Sequence, residues 1–400
     1  MTFLAYGRHR IEQDDIDAVV DVLKGDWLTT GPAVERFESE ICTATSADFA
    51  VSCNSGTAAL HMTAMALGLR KGDVAIVPAI TFLATASAPR LTGADIVFAD
   101  VDPATGLMTP ETFEAAIAAA QGKAIRAAYP VHLGGQVCDM EVLHEIASAR
   151  GITLVEDACH ALGGRYSTRS GRAEVVGSCA HSDMSVFSFH PVKTVTCGEG
   201  GAVTTRSADL AQRLKDVRNH GLERDPAKWL NDDLGKDSMG GPNPWYYEMT
   251  EPAPNYRLSD INAALGASQL RKLGRFVQKR QLLAGLYDEL LAPYSSLLKP
   301  LGRRLGVLSG WHLYVVMIDF DRISLSRAAL MNKLRASGIG TQVHYIPVPW
   351  QPYWRAANDR NCFPGAAEYY RRCLSLPLSV DMNEGDVRRV VDALGKLLRE

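Results

Sequence analysis

The sequence has 400 residues and lacks close cysteine pairs, long apolar runs and a large excess of charge of either sign. Its eight cysteines form no Cys-x-x-Cys pair, which argues against zinc ribbons and thioredoxin-type redox chemistry. No stretch approaches the ~18 consecutive apolar residues of a membrane-spanning helix, and the N-terminal residues hold no apolar run typical of a signal peptide. We therefore expect a cytoplasmic protein with reduced thiols and no membrane partner.

Charge is nearly balanced, with 42 Lys and Arg against 45 Asp and Glu, a formal net charge of −3. Nucleic-acid binders usually carry a basic face, and the few arginine pairs here are scattered, so nucleic acid is not an expected partner. Hydrophobic residues make up 46% and charged residues 22% of the chain, which is ordinary for a globular protein and excludes a mainly disordered one.

Several familiar catalytic motifs are also missing. The chain has no Gly-x-Ser-x-Gly nucleophile elbow and no Gly-x-x-x-x-Gly-Lys phosphate loop. His144 and Glu145 begin like a zinc-protease motif, but Ser148 stands where the second histidine ligand belongs. The ten histidines show no metal-ligand spacing. Hydrolase, kinase and metalloenzyme functions are therefore poorly supported, and no metal is expected.

What the sequence does contain is an alternation of short apolar runs and helical segments. The predicted strands are 49–53, 74–77, 96–100, 125–131, 153–156, 184–189 and 202–205. Because helices of about a dozen residues separate them, they predict a mostly parallel sheet covered on both faces.

The pattern changes beyond this region. The Pro-rich stretch 221–255 breaks the alternation and is typical of a lid, a binding loop or an oligomer contact, although a plain surface loop fits equally well. A continuous helix is predicted over 258–291, followed by a small α/β module that includes a strand at 340–344. We predict a large α/β domain over 1–258, and a linking helix with a small α/β domain over 259–400.

Chemically distinctive residues follow four of the predicted strands, where the loops of an open α/β sheet place ligands. A helix that starts at Gly56 and Thr57 offers free backbone N–H groups to a phosphate, although Ser and Thr also cap helices without any ligand. Phe82 either presents its aromatic face to a flat ring or is a residue of the hydrophobic core. Asp157 ends an apolar strand and either pairs with a cation or donor or caps the next turn.

The fourth feature is the strand 184–189, which leads Ser188, His190 and Lys193 into a Gly-rich loop. A lysine in dry surroundings has a lowered pKa and can act as an amine nucleophile, the alternative being a lysine that reaches solvent. Together the four features supply a phosphate site, a carboxylate, an aromatic face and a Schiff-base lysine. Pyridoxal 5′-phosphate (PLP) requires this set, because a carboxylate at its ring nitrogen makes the ring an electron sink.

At these residues the chain resembles the sugar-nucleotide aminotransferases of PLP fold type I, which act on keto sugars. The resemblance covers nearly the whole chain and rests on segments 27–32, 55–60, 156–161, 187–193, 255–260 and 342–345. It implies a large domain with a mostly parallel sheet and a small C-terminal α/β domain. Related proteins that dehydrate rather than aminate carry histidine at the position of Lys193, so this lysine indicates transamination.

The resemblance also implies roles for individual residues around PLP. Lys193 is expected to bind the cofactor covalently and, once freed, to carry the proton between substrate and cofactor. Asp157 is expected to pair with the pyridine nitrogen, and Phe82 to stack on the ring. His160 is expected beside the ring hydroxyl, the alternative being a buried histidine whose hydrogen bonds are satisfied within the protein.

The phosphate of PLP is expected to contact residues from two subunits. Asn255 or Arg257 matches the contribution of a neighbouring subunit, which implies a homodimer with shared active sites. Ala253 and Pro254 differ from the residues expected before that motif, which affects how the loop approaches the site. The expected contacts from the subunit that carries the lysine are Gly56, Thr57 and Ser188, and the candidate substrate contacts are His190, His344 and Tyr345.

The expected reaction transfers the amino group of L-glutamate to C4 of a UDP-linked 4-keto-6-deoxy-N-acetyl sugar of L-altro configuration. Segments 189–193, 245–248 and 342–347 point to this substrate within the family. Another UDP-4-keto sugar, such as UDP-4-keto-arabinose or the D-gluco epimer, is the nearest alternative. A PLP-binding regulator without turnover and a nucleotide-binding scaffold are alternatives of other classes.

Overall fold

The computed structural model describes residues 3–356 and 358–399. None of the helices in these ranges is long and apolar enough to cross a membrane. Thirteen α-helices lie within them: α1 Gln13–Lys24, α2 Pro32–Thr45, α3 Gly56–Ala66, α4 Leu83–Leu91, α5 Pro110–Ala119, α6 Met140–Ser148, α7 Ala208–Arg218, α8 Asp232–Gly235, α9 Asp260–Leu270, α10 Leu273–Leu291, α11 Arg327–Ala336, α12 Pro364–Arg372 and α13 Glu384–Leu397.

The strands form one large sheet and three small ones. Fifteen strands lie in the same two ranges: β1 Phe49–Cys53, β2 Asp73–Pro78, β3 Asp95–Ala99, β4 Ala124–Ala128, β5 Thr153–Asp157, β6 Arg165–Ser167, β7 Ala173–Val175, β8 Met184–Ser188, β9 Gly201–Thr205, β10 Leu222–Glu223, β11 Glu248–Met249, β12 Leu298–Pro300, β13 Val307–Leu308, β14 Tyr314–Ile318 and β15 Cys373–Leu376.

The large sheet has seven strands in the order β1-β9-β8-β5-β4-β2-β3. Strands β8, β5, β4, β2 and β3 run parallel to one another, and β9 runs antiparallel to both β1 and β8. Its central strands are largely buried, as expected for a parallel sheet covered by helices, and every residue of β9 is buried. The predicted mostly parallel sheet is confirmed.

Two hydrophobic cores contact the two ends of helix α10. Leu273 and Phe276, in its first turn, pack into the core around the large sheet. Leu283 and Tyr287, farther along, pack into a second core around the sheet β12-β14-β15. The division of the chain at residue 258 into two domains stays a prediction.

The continuous helix predicted over 258–291 is wrong, because α9 ends at Leu270 and α10 begins at Leu273. Gly274, the second residue of α10, lies just beyond the break. Within the break, Lys272, 8% exposed, places its ammonium 2.5 Å from Asp14 and 2.7 Å from Asp15 at the start of α1. A buried lysine needs such partners, and the interrupted helix lets it reach them.

The strand predicted over 340–344 is also wrong. The backbone of Gln342 makes two hydrogen bonds with that of Ser375 in β15, of 3.2 and 2.8 Å, but this contact is an isolated bridge. The chain then turns, so that His344 and Tyr345 reach a cavity at the edge of the large sheet.

Candidate active site

A cavity of about 570 Å³ lies at the carboxyl ends of β1, β2, β5 and β8. This is the edge of an α/β sheet at which ligands generally bind, because the loops that follow the strands converge there. The structure brings ten of the twelve predicted site residues to the cavity wall: Gly56, Thr57, Phe82, Asp157, His160, Ser188, His190, Lys193, His344 and Tyr345.

Asp157, the last residue of β5, is 5% exposed. Its Oδ2 accepts a 2.6 Å hydrogen bond from the Thr85 hydroxyl, and its Oδ1 accepts one of 3.2 Å from the amide of Cys159. Among the described residues no ion pair includes Asp157. A buried carboxylate with neutral donors only fits a cationic ring N–H, such as that of a protonated pyridine.

Lys193 follows β8, the strand beside β5, and its partly buried side chain faces the same cavity. Burial of its ammonium lowers the pKa below the ordinary value, against the opposing influence of Cys159 and Asp157. The lysine therefore loses its proton more readily than one in water, as an amine nucleophile must.

The start of α3 forms one end of the cavity. Ser55 caps the helix, with its hydroxyl accepting a 3.1 Å hydrogen bond from Ala58, so the exposed Thr57 hydroxyl is left to face the cavity. Gly56 lies tightly against Ser188, because a Cβ at position 56 would come within 2.8 Å of the Cβ of Ser188. The start of a helix beside the hydroxyls of Thr57 and Ser188, with no side chain at position 56, fits a phosphate.

Phe82 is 54% exposed and lies at the cavity wall, so it is not a core residue. Its ring centroid is 6.1 Å from that of Tyr345. Covering a large apolar side chain stabilises by roughly 1.5–3 kcal/mol. The open face of Phe82 therefore favours a flat, partly apolar ligand.

His160 is buried, and both ring nitrogens have partners within the protein. Nδ1 accepts a 3.2 Å hydrogen bond from the amide of Gly134, and Nε2 lies 3.1 Å from the hydroxyl of Tyr345. Burial, reinforced by Lys193 and His344, holds the pKa of His160 well below its ordinary value. The residue is thus a neutral, hydrogen-bonded histidine that also lines the cavity.

The three candidate substrate residues differ in exposure. His190 is exposed at the cavity. His344 is buried, with Nδ1 2.8 Å from the hydroxyl of Ser375, and burial, reinforced by Lys193, lowers its pKa to about 3. Tyr345 is partly buried, and burial raises its pKa well above the ordinary value. His344 and Tyr345 are therefore neutral groups near pH 7.

Asn255 and Arg257 do not line the cavity within the described part of their own chain. Asn255 is exposed and accepts a 3.2 Å hydrogen bond from the amide of Arg257. The guanidinium of Arg257 donates to the side chain of Asn219. As far as the structure describes the chain, Lys193 is the cavity's one lysine or arginine, so a phosphate there has no arginine partner from the same subunit.

Sequence reasoning missed several residues of the wall. Tyr6 comes from the N-terminal segment, in which Leu4 forms an isolated bridge with Ile339, three residues after the end of α11. His312 lies two residues before β14, a position beside a strand that could have drawn attention to it. The missed polar residues that line the cavity are Tyr6, Thr81, Thr85, Glu199, His312, Gln342 and Gln351.

Comparison with known proteins explains this geometry. Residues 9–395 match the DegT/DnrJ/EryC1/StrS aminotransferase family. This chain belongs to that family. The predicted resemblance to sugar aminotransferases and the fold type are thereby confirmed. Aminotransferases of this family depend on PLP, which confirms the predicted cofactor, and the cavity's lysine, buried carboxylate, exposed phenylalanine and helix start fit it.

Among its relatives, the spore coat polysaccharide biosynthesis protein SpsC of Bacillus subtilis is 35% identical, over 99% of this chain and 97% of SpsC. Two solved structures are similar over nearly their full length. PseC of Helicobacter pylori, an aminotransferase involved in the biosynthesis of pseudoaminic acid, has a TM-score of 0.87 and 26% identity, covering 100% of both chains. The PLP form of the sugar aminotransferase Spr1654 of Streptococcus pneumoniae has a TM-score of 0.85 and 27% identity, covering 99% of both.

Proposed function

We propose that this family member transfers the amino group of L-glutamate to C4 of a UDP-linked 4-keto-6-deoxy-N-acetyl sugar. One observation carries the proposed chemistry. Lys193 and Asp157 follow neighbouring parallel strands and face one cavity, the lysine with a lowered pKa and the carboxylate without an ion-pair partner among the described residues. That pairing suits a covalent anchor and a ring-nitrogen partner for PLP.

The cofactor contacts follow from the cavity wall. Lys193 would anchor PLP, Asp157 would pair with its ring nitrogen, Phe82 would stack on the ring, and His160 would lie on the side of the ring hydroxyl. The phosphate is held by Gly56, Thr57 and Ser188. When bound, PLP supplies an electron sink for the substrate carbon that loses a proton.

Asp157 and Lys193 have different roles in the two half-reactions. Asp157 holds a proton on the ring nitrogen throughout. The freed amine of Lys193 would carry a proton from the substrate carbon to the cofactor in the first half-reaction, and from the cofactor to C4 of the sugar in the second. Glutamate leaves as 2-oxoglutarate, and the ketone at C4 of the sugar becomes an amine.

A second subunit completes the site in this proposal. Asn255 and Arg257 lie outside the cavity of their own chain, so they are available to the phosphate site of a neighbour across a homodimer interface. Large apolar side chains are exposed in the adjoining stretch 221–255, including Leu230, 86% exposed, and Trp245, 73% exposed. Burial of such side chains between subunits supports the dimer. A cytoplasmic location is part of the same proposal.

The L-altro sugar is our first choice, which makes the chain a UDP-4-amino-4,6-dideoxy-N-acetyl-β-L-altrosamine transaminase of pseudaminic acid synthesis. The motifs at 189–193, 245–248 and 342–347 and the full-length similarity to PseC support it. Identity to the spore coat polysaccharide protein SpsC is higher, at 35%. That relationship keeps a different UDP-4-keto sugar, including the D-gluco epimer and UDP-4-keto-arabinose, as the second candidate.

Mass spectrometry of amino-sugar formation tests the proposal. The purified protein with PLP and glutamate is incubated separately with the UDP-linked 4-keto-6-deoxy-N-acetyl sugars of L-altro and D-gluco configuration. Product from the L-altro sugar alone supports the first choice, and product from the epimer alone moves the protein to another pathway. If glutamate does not change the absorption of the bound cofactor, the aminotransferase proposal itself fails.

A further inference from the structure

The hydrogen bonds of His160 determine which of its nitrogens carries the proton. The amide of Gly134 can only donate, so Nδ1 must present its lone pair at 3.2 Å. A neutral imidazole then carries its single proton on Nε2. If Nδ1 carried the proton instead, it and the amide of Gly134 would both be donors and could not form a hydrogen bond.

The position of Gly134 is fixed from both sides. The amide of the preceding His132 donates to the carbonyl of Asp157 at 3.1 Å, and the carbonyl of Gly134 accepts from Leu313 at 3.3 Å. The ring of His312 lies against that of His160, with centroids 4.4 Å apart. The amide donor and the imidazole ring are therefore held together by the sheet edge and by the segment before β14.

This tautomer sets the direction of the next hydrogen bond. Because Nε2 of His160 carries the proton, it donates to the Tyr345 hydroxyl oxygen at 3.1 Å. The hydroxyl keeps its own proton, and within the described residues it has no second hydrogen-bond partner. Tyr345 lines the cavity with Lys193 and Phe82, so its O–H is available to an acceptor bound there.

We infer that Tyr345, oriented by His160, is a hydrogen-bond donor to an oxygen of the reacting complex in the cavity. The inference rests on the proposed function, because it assumes that PLP and the amino-group substrates occupy this cavity. The acceptor is an anionic or carbonyl oxygen, supplied either by the cofactor ring or by the substrate. His160 is then a positioning residue, since both of its nitrogens are used within the protein.

Tyr345→Phe tests the donor, with Tyr353→Phe as the matched control. Tyr353 is 68% exposed and bonds Arg90 outside the cavity. Loss of a hydrogen bond to a charged oxygen predicts that kcat/KM for glutamate falls roughly 10- to 100-fold in Tyr345→Phe, with no more than about a two-fold change in the control. Equal activity of Tyr345→Phe and wild type would overturn the inference.

The pH titration of the holoenzyme's visible absorption distinguishes the two sources of the acceptor. If the cofactor's ring oxygen is the acceptor, Tyr345→Phe shifts the midpoint of this titration before any substrate is added. If a substrate oxygen is the acceptor, the midpoint stays and only the kinetic constants change. Both results support the donor, whereas no change in either measurement excludes it.

His160 variants test the positioning step. A glutamine can place an N–H near the former Nε2, so His160→Gln should retain most of the activity that His160→Phe loses. Similar losses in both variants would contradict the proposed orientation. If glutamate changes the cofactor absorption of the wild-type protein, and Tyr345→Phe has the kcat/KM and titration midpoint of the wild type, only this inference is refuted. If glutamate never changes the cofactor absorption of the wild-type protein, the proposed function is refuted.

Discussion

The hydroxyl of Thr85, on helix α4, donates a 2.6 Å hydrogen bond to Oδ2 of Asp157 at the end of β5. Because its only proton is used in this bond, the Thr85 hydroxyl accepts a further 2.7 Å hydrogen bond from the hydroxyl of Thr81. Residues that follow β2 thus hold the buried carboxylate at the end of β5. Its orientation toward the cavity is set before any ligand binds.

Replacing Thr85 by valine should therefore destabilise the protein and weaken cofactor binding. The shape is retained, but a buried carboxylate loses a donor, which costs about 1–3 kcal/mol of the free energy of unfolding. Urea denaturation without added PLP measures the loss, and titration with PLP measures the affinity. Thr43→Val removes an exposed hydroxyl that bonds Ser39 and should change neither quantity by more than about 0.5 kcal/mol. A Thr85 variant as stable as this control would contradict the argument.

Lys193→Ala should abolish covalent retention of PLP and reduce turnover by at least about 100-fold, because both the anchor and the proton carrier are lost. Gel filtration followed by absorption spectroscopy shows whether PLP stays bound, and a coupled assay of 2-oxoglutarate measures turnover. Lys215→Ala, in helix α7 at an exposed position, is the control. If the wild-type protein shows no turnover, and Lys193→Ala retains its effect on a binding partner, a PLP-binding regulator is favoured instead.

Shared active sites predict complementation between two inactive variants. Lys193→Ala lacks the anchor and Arg257→Ala lacks the proposed phosphate contact to the neighbouring subunit, so each homodimer should be inactive. Random exchange gives half heterodimers with one intact site each, and activity should return to about a quarter of wild type. Because Arg257 also bonds Asn219 within its chain, circular dichroism of Arg257→Ala must first show a folded protein. If both variants are folded and their mixture recovers no activity, the active sites are not shared between subunits.

These experiments concern residues whose convergence the sequence largely predicted. Apolar runs identified the strands, and carboxyl ends of parallel strands meet at one edge of a sheet. For this reason Gly56, Phe82, Asp157 and Lys193 could be grouped before their distances were known.

The rest of the site depends on contacts between distant segments, which periodicity does not report. Tyr6 reaches the cavity because its carbonyl accepts a hydrogen bond from Leu378, more than 370 residues later in the chain. His312 lies against His160 only after the small sheet has packed beside the large one. The break at Lys272 likewise reflects the acidic side chains of α1, since the local sequence remains helical in pattern.

Buried histidines predict a loss of stability in mild acid. Burial, reinforced by neighbouring groups that include His160 and Lys193, holds the pKa of His312 well below its ordinary value. The unfolded chain then binds a proton below pH 6.5 that the folded protein does not, so this contribution is present above pH 6.5 and is lost as the pH falls. At pH 5.5 each such histidine costs about 1.4 kcal/mol of the free energy of unfolding.

Urea denaturation at pH 7.5 and 5.5 measures this loss. His312→Gln removes one titrating group and should narrow the difference between the two pH values by about 1.4 kcal/mol. The exposed His9 provides the comparison, and His9→Gln should leave the difference unchanged. An identical pH dependence in wild type and His312→Gln would show that His312 is not the group that titrates.

The contact between Gly56 and Ser188 gives a test of the phosphate end that separates shape from chemistry. A Cβ at position 56 would lie 2.8 Å from the Cβ of Ser188 and 3.2 Å from its hydroxyl oxygen. Gly56→Ala should therefore displace Ser188 and lower PLP affinity by roughly 10-fold, equivalent to the loss of one hydrogen bond to a charged group. Fluorescence titration of the cofactor-free protein with PLP measures the change.

Ser188→Gly removes both the obstructing Cβ and the hydroxyl, so it resolves the two contributions. If Gly56→Ala acts only by displacing Ser188, the double variant should bind PLP as Ser188→Gly alone does, and the two losses should not add. Additive losses would mean that Gly56 acts on the phosphate by itself, through the close approach of its backbone. Thermal unfolding of the three variants should differ little, because position 56 is at the first turn of α3 and borders the cavity, where the chain can adjust.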